Sequence, residues 1–227
     1  MFHRILVINP GSTSTKVGVY INEQPLCVST IRHTVEELMQ YEQIIDQHDF
    51  RQQLVIDWLK ANDIPFEFDA IIGRGGLIKP IPGGVYRVNR KMVYETYYAL
   101  RKHACNLGCI IAYELAKQQQ NGCKAYIADP VTVDELLPEA RVSGSPLMPR
   151  LAIWHALNQR AIARRYASEI GSQYEDLNLI ICHLGGGISI AAHQKGRAVD
   201  ANNALDGEGP LSPERAGTLP AADLIHL

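Results

Sequence analysis

The chain has 227 residues, 46% of them hydrophobic and 20% charged, with a formal net charge of −2. That is the balance of a globular protein able to bury a core, and it provides no basic footprint for nucleic acid or an anionic membrane surface. No apolar run approaches the roughly 18 residues of a membrane span. Met1–Arg4 passes straight into strand-type residues without a secretory signal pattern, so a cytoplasmic protein is expected. The five cysteines, Cys27, Cys105, Cys109, Cys123 and Cys182, show no C-x-x-C pair. Core packing in a reducing compartment explains them better than disulfides or a metal.

The chain opens with Arg4–Asn9, a short apolar strand, then a turn of small polar residues over 10–15 and a second strand over Lys16–Ile21. Thr34 with Glu37 fits a capping box ahead of Val35, Leu38 and Met39. Phe50, Leu54, Val55, Trp58 and Leu59 form the apolar stripe of a helix that Asn62 and Pro65 end. Asp69–Ile72 reads as a buried strand running into Gly73-Arg74-Gly75-Gly76. Helices are expected over 91–101 and 106–120, a strand over 125–128 closed by Asp129-Pro130, and a long helix over 150–170 with Gly171 as its C-cap. Leu177–His183 then forms a strand leading to Gly185-Gly186-Gly187, followed by strands over 188–192 and 196–200.

The unit strand, tight small-residue turn, strand thus occurs twice. Helices placed between strands indicate an α/β fold, and the repeat divides the chain into domains at 1–176 and 177–227.

Asn9-Pro10-Gly11-Ser12-Thr13-Ser14-Thr15-Lys16 has the chemistry of a phosphate cradle. Glycine lets backbone N–H groups converge on an anion, hydroxyls add donors, and Lys16 adds charge. It is not a Walker A loop, because a strand rather than a helix follows and Lys16 lacks the preceding glycine. The bland alternative is a polar hairpin turn; two such turns, each opening a domain, make it the weaker reading.

The pattern Asn9-x-Gly11-Ser12-x-Ser14-x-Lys16 resembles the acetate and butyrate kinase signature. So do Gly73–Leu77, Val131–Glu135, His155–Gln159, His183–Ser189 and Asn202–Pro210, which are similar to butyrate kinases in particular. The resemblance implies an actin-like ATPase (ribonuclease H-like) fold with a mixed sheet and flanking helices. Family members continue further, so the second domain is expected to be truncated here and to lack its adenosine-binding elements. The implied reaction moves the γ-phosphoryl of ATP to a short-chain fatty acid, butyrate above others, and runs reversibly with Mg²⁺. Propionate, acetate and branched acids stay open as substrates, as does an inactive remnant or plain phosphate-binding module. A homodimer or larger homo-oligomer is implied for the full-length protein.

By the same resemblance, Arg74 and Arg215 hold the carboxylate and the phosphoryl group in flight, and His155 donates a hydrogen bond to it. Asp129 aligns it through Mg²⁺ or directly, with Asn9 as a second metal contact. Asn9, Ser12, Ser14 and Lys16 form one phosphate site, His183 with Gly185, Gly186 and Gly187 the other. Gly75 and Gly76 stand where acetate kinases carry bulky aliphatic residues, which leaves room for a longer acyl chain. Trp154 is expected as a pocket wall. His103 either touches substrate or caps a helix.

Overall fold

The computed structural model describes residues 2–227, and two compact units account for them. The first comprises Met1–Lys79 and Gly84–Pro130, the second Pro80–Gly83 and Val131–Leu227. Compactness therefore divides the chain well before residue 177, where the strand–turn–strand unit repeats. The segment from Val131 buries its apolar side chains with the later strands: Val133, Leu136, Trp154 and Ala156 share a cluster with Ala191, Ala198 and Ala201.

The first unit is built on β1 (Arg4–Pro10), β2 (Ser14–Ile21), β3 (Gln24–Arg32), β4 (Ala70–Arg74), β5 (Val85–Arg87) and β6 (Lys124–Ala128), in the order β3-β2-β1-β4-β6-β5. β1, β4 and β6 are mutually parallel, while β2, β3 and β5 run antiparallel to their neighbours. The sheet is thus mixed. β1 hides Leu6 and Ile8 at a two-residue period, as a strand with one core face must. The capping box closes as expected, Thr34 Oγ1 accepting from the Glu37 amide at 3.2 Å, but it starts only one turn, α1 (Val35–Leu38).

α2 (His48–Ala61) follows the expected stripe and buries Arg51, Val55 and Leu59, spaced i, i+4, i+8. α3 (Arg90–Tyr97) and α4 (Asn106–Lys117) are each shorter than expected. α4 lies directly on β4: a side chain at Gly73 would sit 2.0 Å from the Gly108 carbonyl oxygen, and one at Gly108 2.4 Å from that of Arg74. Cys105 and Cys109 are buried there, their thiols pushed up to about 11 and about 12 by burial. Cys182 departs from the expected core placement and is exposed.

In the second unit, α5 (Ala156–Glu169) begins six residues later than expected. Residues 150–155 form no helix because their backbone groups bond sideways. The Arg150 amide donates to Arg141, the Trp154 amide to Val131, and the Ile153 carbonyl accepts from Ala204. At the far end Gly171, at φ +69°, forms the expected cap: its amide and that of Ser172 reach back to Ser168 and Ala167. β7 (Asn178–Leu184), β8 (Ile188–Gln194) and β9 (Arg197–Ala201) make an antiparallel meander. α6 (Ala221–His226) ends the described chain. β3 and β5 were not foreseen, since Pro25 and a strand of only three residues hide their periodicity.

Candidate active site

In the first unit the expected residues gather at the carboxyl ends of three adjacent parallel strands. Asn9 lies near the end of β1, Arg74 at the end of β4, and Asp129 just beyond β6. Open α/β sheets offer their ligand crevices at such ends. Arg74 Nη1 lies 3.5 Å from Asn9 Oδ1. Lys16 pairs across from Asn9 and therefore shares its face of the sheet; it is exposed. Asp129 is 6% exposed and sits at φ +37°, a left-handed conformation that aspartate tolerates better than most residues. Gly84 holds it there: the Asp129 amide donates to the Gly84 carbonyl at 2.9 Å, and Asp129 Oδ1 accepts from the Gly84 amide at 2.8 Å.

The turn between β1 and β2 shows how a chain can present amide protons. All four carbonyls from Gly11 to Ser14 are engaged from within the unit. Arg51 Nη1 donates to Gly11 O at 2.8 Å and to Ser14 O at 3.2 Å, and Nη2 donates to Ser12 O at 3.3 Å. The His33 amide takes Thr13 O at 3.0 Å. A trans peptide points its N–H opposite its carbonyl, so the amides of Ser12 and Thr13 point away from Arg51. Neither donates to any group among the described residues. Arg51 is 1% exposed, and burial lowers its pKa to about 10, so it remains charged at neutral pH. No carboxylate is among its partners. Arg51 was missed in the sequence, where it looks like a surface residue; its four-residue spacing from Val55 and Leu59 was the available signal.

In the second unit, the turn of Gly185, Gly186 and Gly187 is held differently. Gly186 O accepts from Ser212 Oγ at 2.8 Å and from the Glu214 amide at 3.1 Å. A side chain at Gly186 would stand 2.6 Å from Glu214 Oε1, and one at Gly187 2.5 Å from Arg215 Nη1 and 3.5 Å from His155 Cε1. Arg215 and His155 therefore flank Gly187. His155 sits at the N-cap of α5, not inside a helix, and its ring stacks on His183 at 3.7 Å with a 4° interplanar angle. His183 Nδ1 is 2.9 Å from Asn158 Nδ2. The stretch 202–210 is a packed loop: Arg150 pairs with Asp200 at 2.9 Å and with Glu208, and Asn202 Nδ2 donates to the carbonyls of Ile188 and Glu208.

Expectations about the acyl pocket at Gly75, Gly76 and Trp154 meet packing instead of space. A Cβ at Gly75 would lie 2.6 Å from Pro130 Cβ, and one at Gly76 2.7 Å from Asn106 Cα and 2.8 Å from Thr96 Cγ2. The missing side chains are thus replaced by protein, and the account of chain-length selection by empty volume at Gly75 and Gly76 is corrected. Trp154 is 2% exposed, donates from Nε1 to Val133 O at 2.8 Å and packs edge-on to His193, as a core residue does. His103 accepts the Cys105 amide on Nδ1 at 3.1 Å, the capping alternative. Among the described residues no three histidine, cysteine, aspartate or glutamate side chains cluster as a metal site.

Such a layout, a mixed sheet with a phosphate-type turn in its leading hairpin and a second turn of the same kind, is that of the actin-like ATPase fold. An acetate kinase from Porphyromonas gingivalis superposes with a TM-score of 0.72 at 16% identity, covering 99% of this chain and 63% of that one. A propionate kinase from Francisella tularensis gives 0.68 at 15% identity, with the same coverage. In sequence, residues 151–227 match the acetokinase family. A probable butyrate kinase of Bacteroides thetaiotaomicron is 68% identical over 224 residues, and butyrate kinase 1 of Clostridium acetobutylicum 51% identical over 227. Each alignment covers 99% of this chain and 63% of the relative, so the chain spans about 63% of the length of the curated relatives it matches. The chain is thus similar to butyrate kinases over 99% of its length, and to the acetokinase family over residues 151–227.

Proposed function

We propose that this chain is part of a butyrate kinase, which transfers the γ-phosphoryl of ATP to butyrate and returns it in reverse. The observation carrying the reading is the turn after β1, with its carbonyls held inward and its Ser12 and Thr13 amides outward, in a chain 68% identical to a probable butyrate kinase. A carboxylic acid with a pKa near that of glutamate, about 4.3, is already an anion at neutral pH. The nucleophile needs no general base; the task is to bring it in line with a polyanion.

Cationic clamps do that work in this reading. Arg74 and Arg215 take the carboxylate and phosphoryl oxygens bidentately, and His155 donates to the phosphoryl group. Asn9, Ser12, Ser14 and Lys16 bind one phosphate, and His183 with the three glycines binds another. The donor set fits Mg²⁺: Asp129 supplies a carboxylate and Asn9 an amide oxygen, the sparse protein share expected of an ion held mainly by substrate phosphates and water. When bound, Mg²⁺ neutralises charge on the transferring group. The repeated strand–turn–strand unit from residue 177 is read as the opening of a second, related domain. A cytoplasmic location and homo-oligomeric assembly belong to the same reading.

The test is hydroxamate-trapped acyl phosphate formation with ATP, Mg²⁺ and a panel of acetate, propionate, butyrate and isobutyrate. Butyrate should lead the panel, and Arg74→Ala should lower its rate by about 100-fold or more. A preparation that binds ATP yet phosphorylates none of the acids would reduce the chain to a phosphate-binding module.

A further inference from the structure

Behind His155 the second unit contains a buried line of polar groups whose donors and acceptors can be assigned one by one. His155 Nδ1 is 2.8 Å from Ser189 Oγ. That hydroxyl also receives the His155 amide at 3.2 Å and Gln159 Nε2 at 2.9 Å. The Gln159 amide is correctly oriented, because the same Nε2 lies 3.0 Å from Ser189 O, and a carbonyl can only accept. A hydroxyl accepts two hydrogen bonds and donates one. Both acceptor positions of Ser189 are therefore filled by N–H groups, and its residue is 0% exposed, so water does not compete. The single remaining neighbour for the hydroxyl proton is His155 Nδ1.

The line continues beyond Gln159 in one direction. Gln159 Oε1 lies 3.0 Å from His193 Nε2, which must therefore carry a proton. Burial lowers the pKa of His193 to about 4, with Arg160 adding to the effect and Glu135 opposing it, so its other nitrogen is bare at neutral pH. Tyr174 Oη, 2.6 Å from that Nδ1, then donates to it. The strand period supports the arrangement, since Ser189, Ala191 and His193 share the buried face of β8.

We infer that Ser189, Gln159, His193 and Tyr174 are positioning residues that hold His155 as a neutral imidazole with its proton on Nε2. Either alternative strands a proton: Nδ1–H, in the other tautomer or in imidazolium, would meet a hydroxyl with no acceptor position left, in a buried site where such a loss is costly. His155 thus offers one fixed donor, Nε2–H. The use made of that donor rests on the phosphoryl transfer proposed above; the tautomer does not.

The experiment is a long-range ¹H–¹⁵N correlation spectrum of the 227-residue protein labelled with ¹⁵N-histidine, at neutral pH. His155 and His193 are assigned from His155→Gln and His193→Gln spectra. The expected result is a bare Nδ1 and a protonated Nε2 for both rings, with His155 shifting toward tautomer-averaged values in Ser189→Ala. Gln159→Met, which empties one acceptor position on the hydroxyl, should give a smaller shift in the same direction and serves if Ser189→Ala fails to fold. A protonated Nδ1 or averaged nitrogens for His155 in the unaltered protein would overturn the inference. So would a wild-type His155 pattern in both variants. The spectrum requires no turnover, so its outcome is separate from that of the acyl phosphate assay.

Discussion

The turn after β1 and the turn after β7 are shaped by opposite means. In the first, one glycine suffices because a buried guanidinium collects carbonyls from behind and so dictates where the amides point. In the second, three glycines remove the side chains, and the loop over 212–215 occupies the vacated volume and takes the Gly186 carbonyl. The first turn is held by Arg51, 36 to 40 positions away in sequence, and by the His33 amide. The second is held by a single carbonyl, Gly186 O, which the 212–215 loop reaches because no side chains stand in its way. A backbone anion site can therefore be rigid through what supports it or through what is missing from it, and the two should fail differently.

The largest expected effect comes from Arg51→Met. It leaves the part-buried carbonyls of Gly11 and Ser12 without their side-chain donor, while Ser14 O keeps the Gly11 amide at 2.7 Å, and at about 1–3 kcal/mol for a stranded acceptor the loss should reach roughly 2 kcal/mol or more. Urea unfolding would read this, and pyrophosphate binding should weaken in parallel while the His155 nitrogen shifts stay unchanged. Loss of both signals would mean the turns are not independent.

A middle-sized effect concerns one buried histidine in each unit. His33, 2.9 Å from Thr15 Oγ1, is lowered to about 4 by burial and then by the Arg51 charge, and His193 is lowered to about 4 in the second unit. Unfolded histidine takes its proton near 6.5. Between pH 6.5 and 4 the unfolded state binds more protons, so stability falls as pH falls through that window and levels off below it. His33→Asn and His193→Asn should each flatten the curve of unfolding midpoint against pH; an unaltered slope in the double variant would remove the account.

The smallest effect on stability, though not on activity, is expected from Gly187→Ala. The backbone there does not need positive φ, and the new methyl crowds only the end of the flexible Arg215 side chain, reaching His155 Cε1 at an ordinary contact distance of 3.5 Å. The unfolding free energy should change by less than about 1 kcal/mol, while acyl phosphate formation falls by about tenfold or more as Arg215 is displaced. Equal losses in both would show that the glycine serves folding.

Much of this was readable before any coordinates. Composition alone marked the turn over 10–15, and the strand period marked β1, β4 and β6. The stripe at Val55 and Leu59 located α2. What escaped were features whose cause lies elsewhere in the chain. Residues 150–155 carry helix-compatible side chains, yet their backbone bonds go to Arg141, Val131 and Ala204. Gly75 and Gly76 suggested an opening, and only packing shows that Pro130, Thr96 and Asn106 occupy it. Ser189 and Gln159, 30 residues apart, meet only once α5 lies on β8.

Arg51 has one further consequence, which concerns fields more than contacts. Its charge is balanced by carbonyl dipoles and one glutamine, so its positive potential is not cancelled locally. An anion at the outer side of the turn would feel two cations, exposed Lys16 and a hidden one behind the backbone. Dissolved ions screen the first readily and the second much less. Raising the ionic strength should thus weaken phosphate capture only to a floor, the share of the attraction that originates inside the protein.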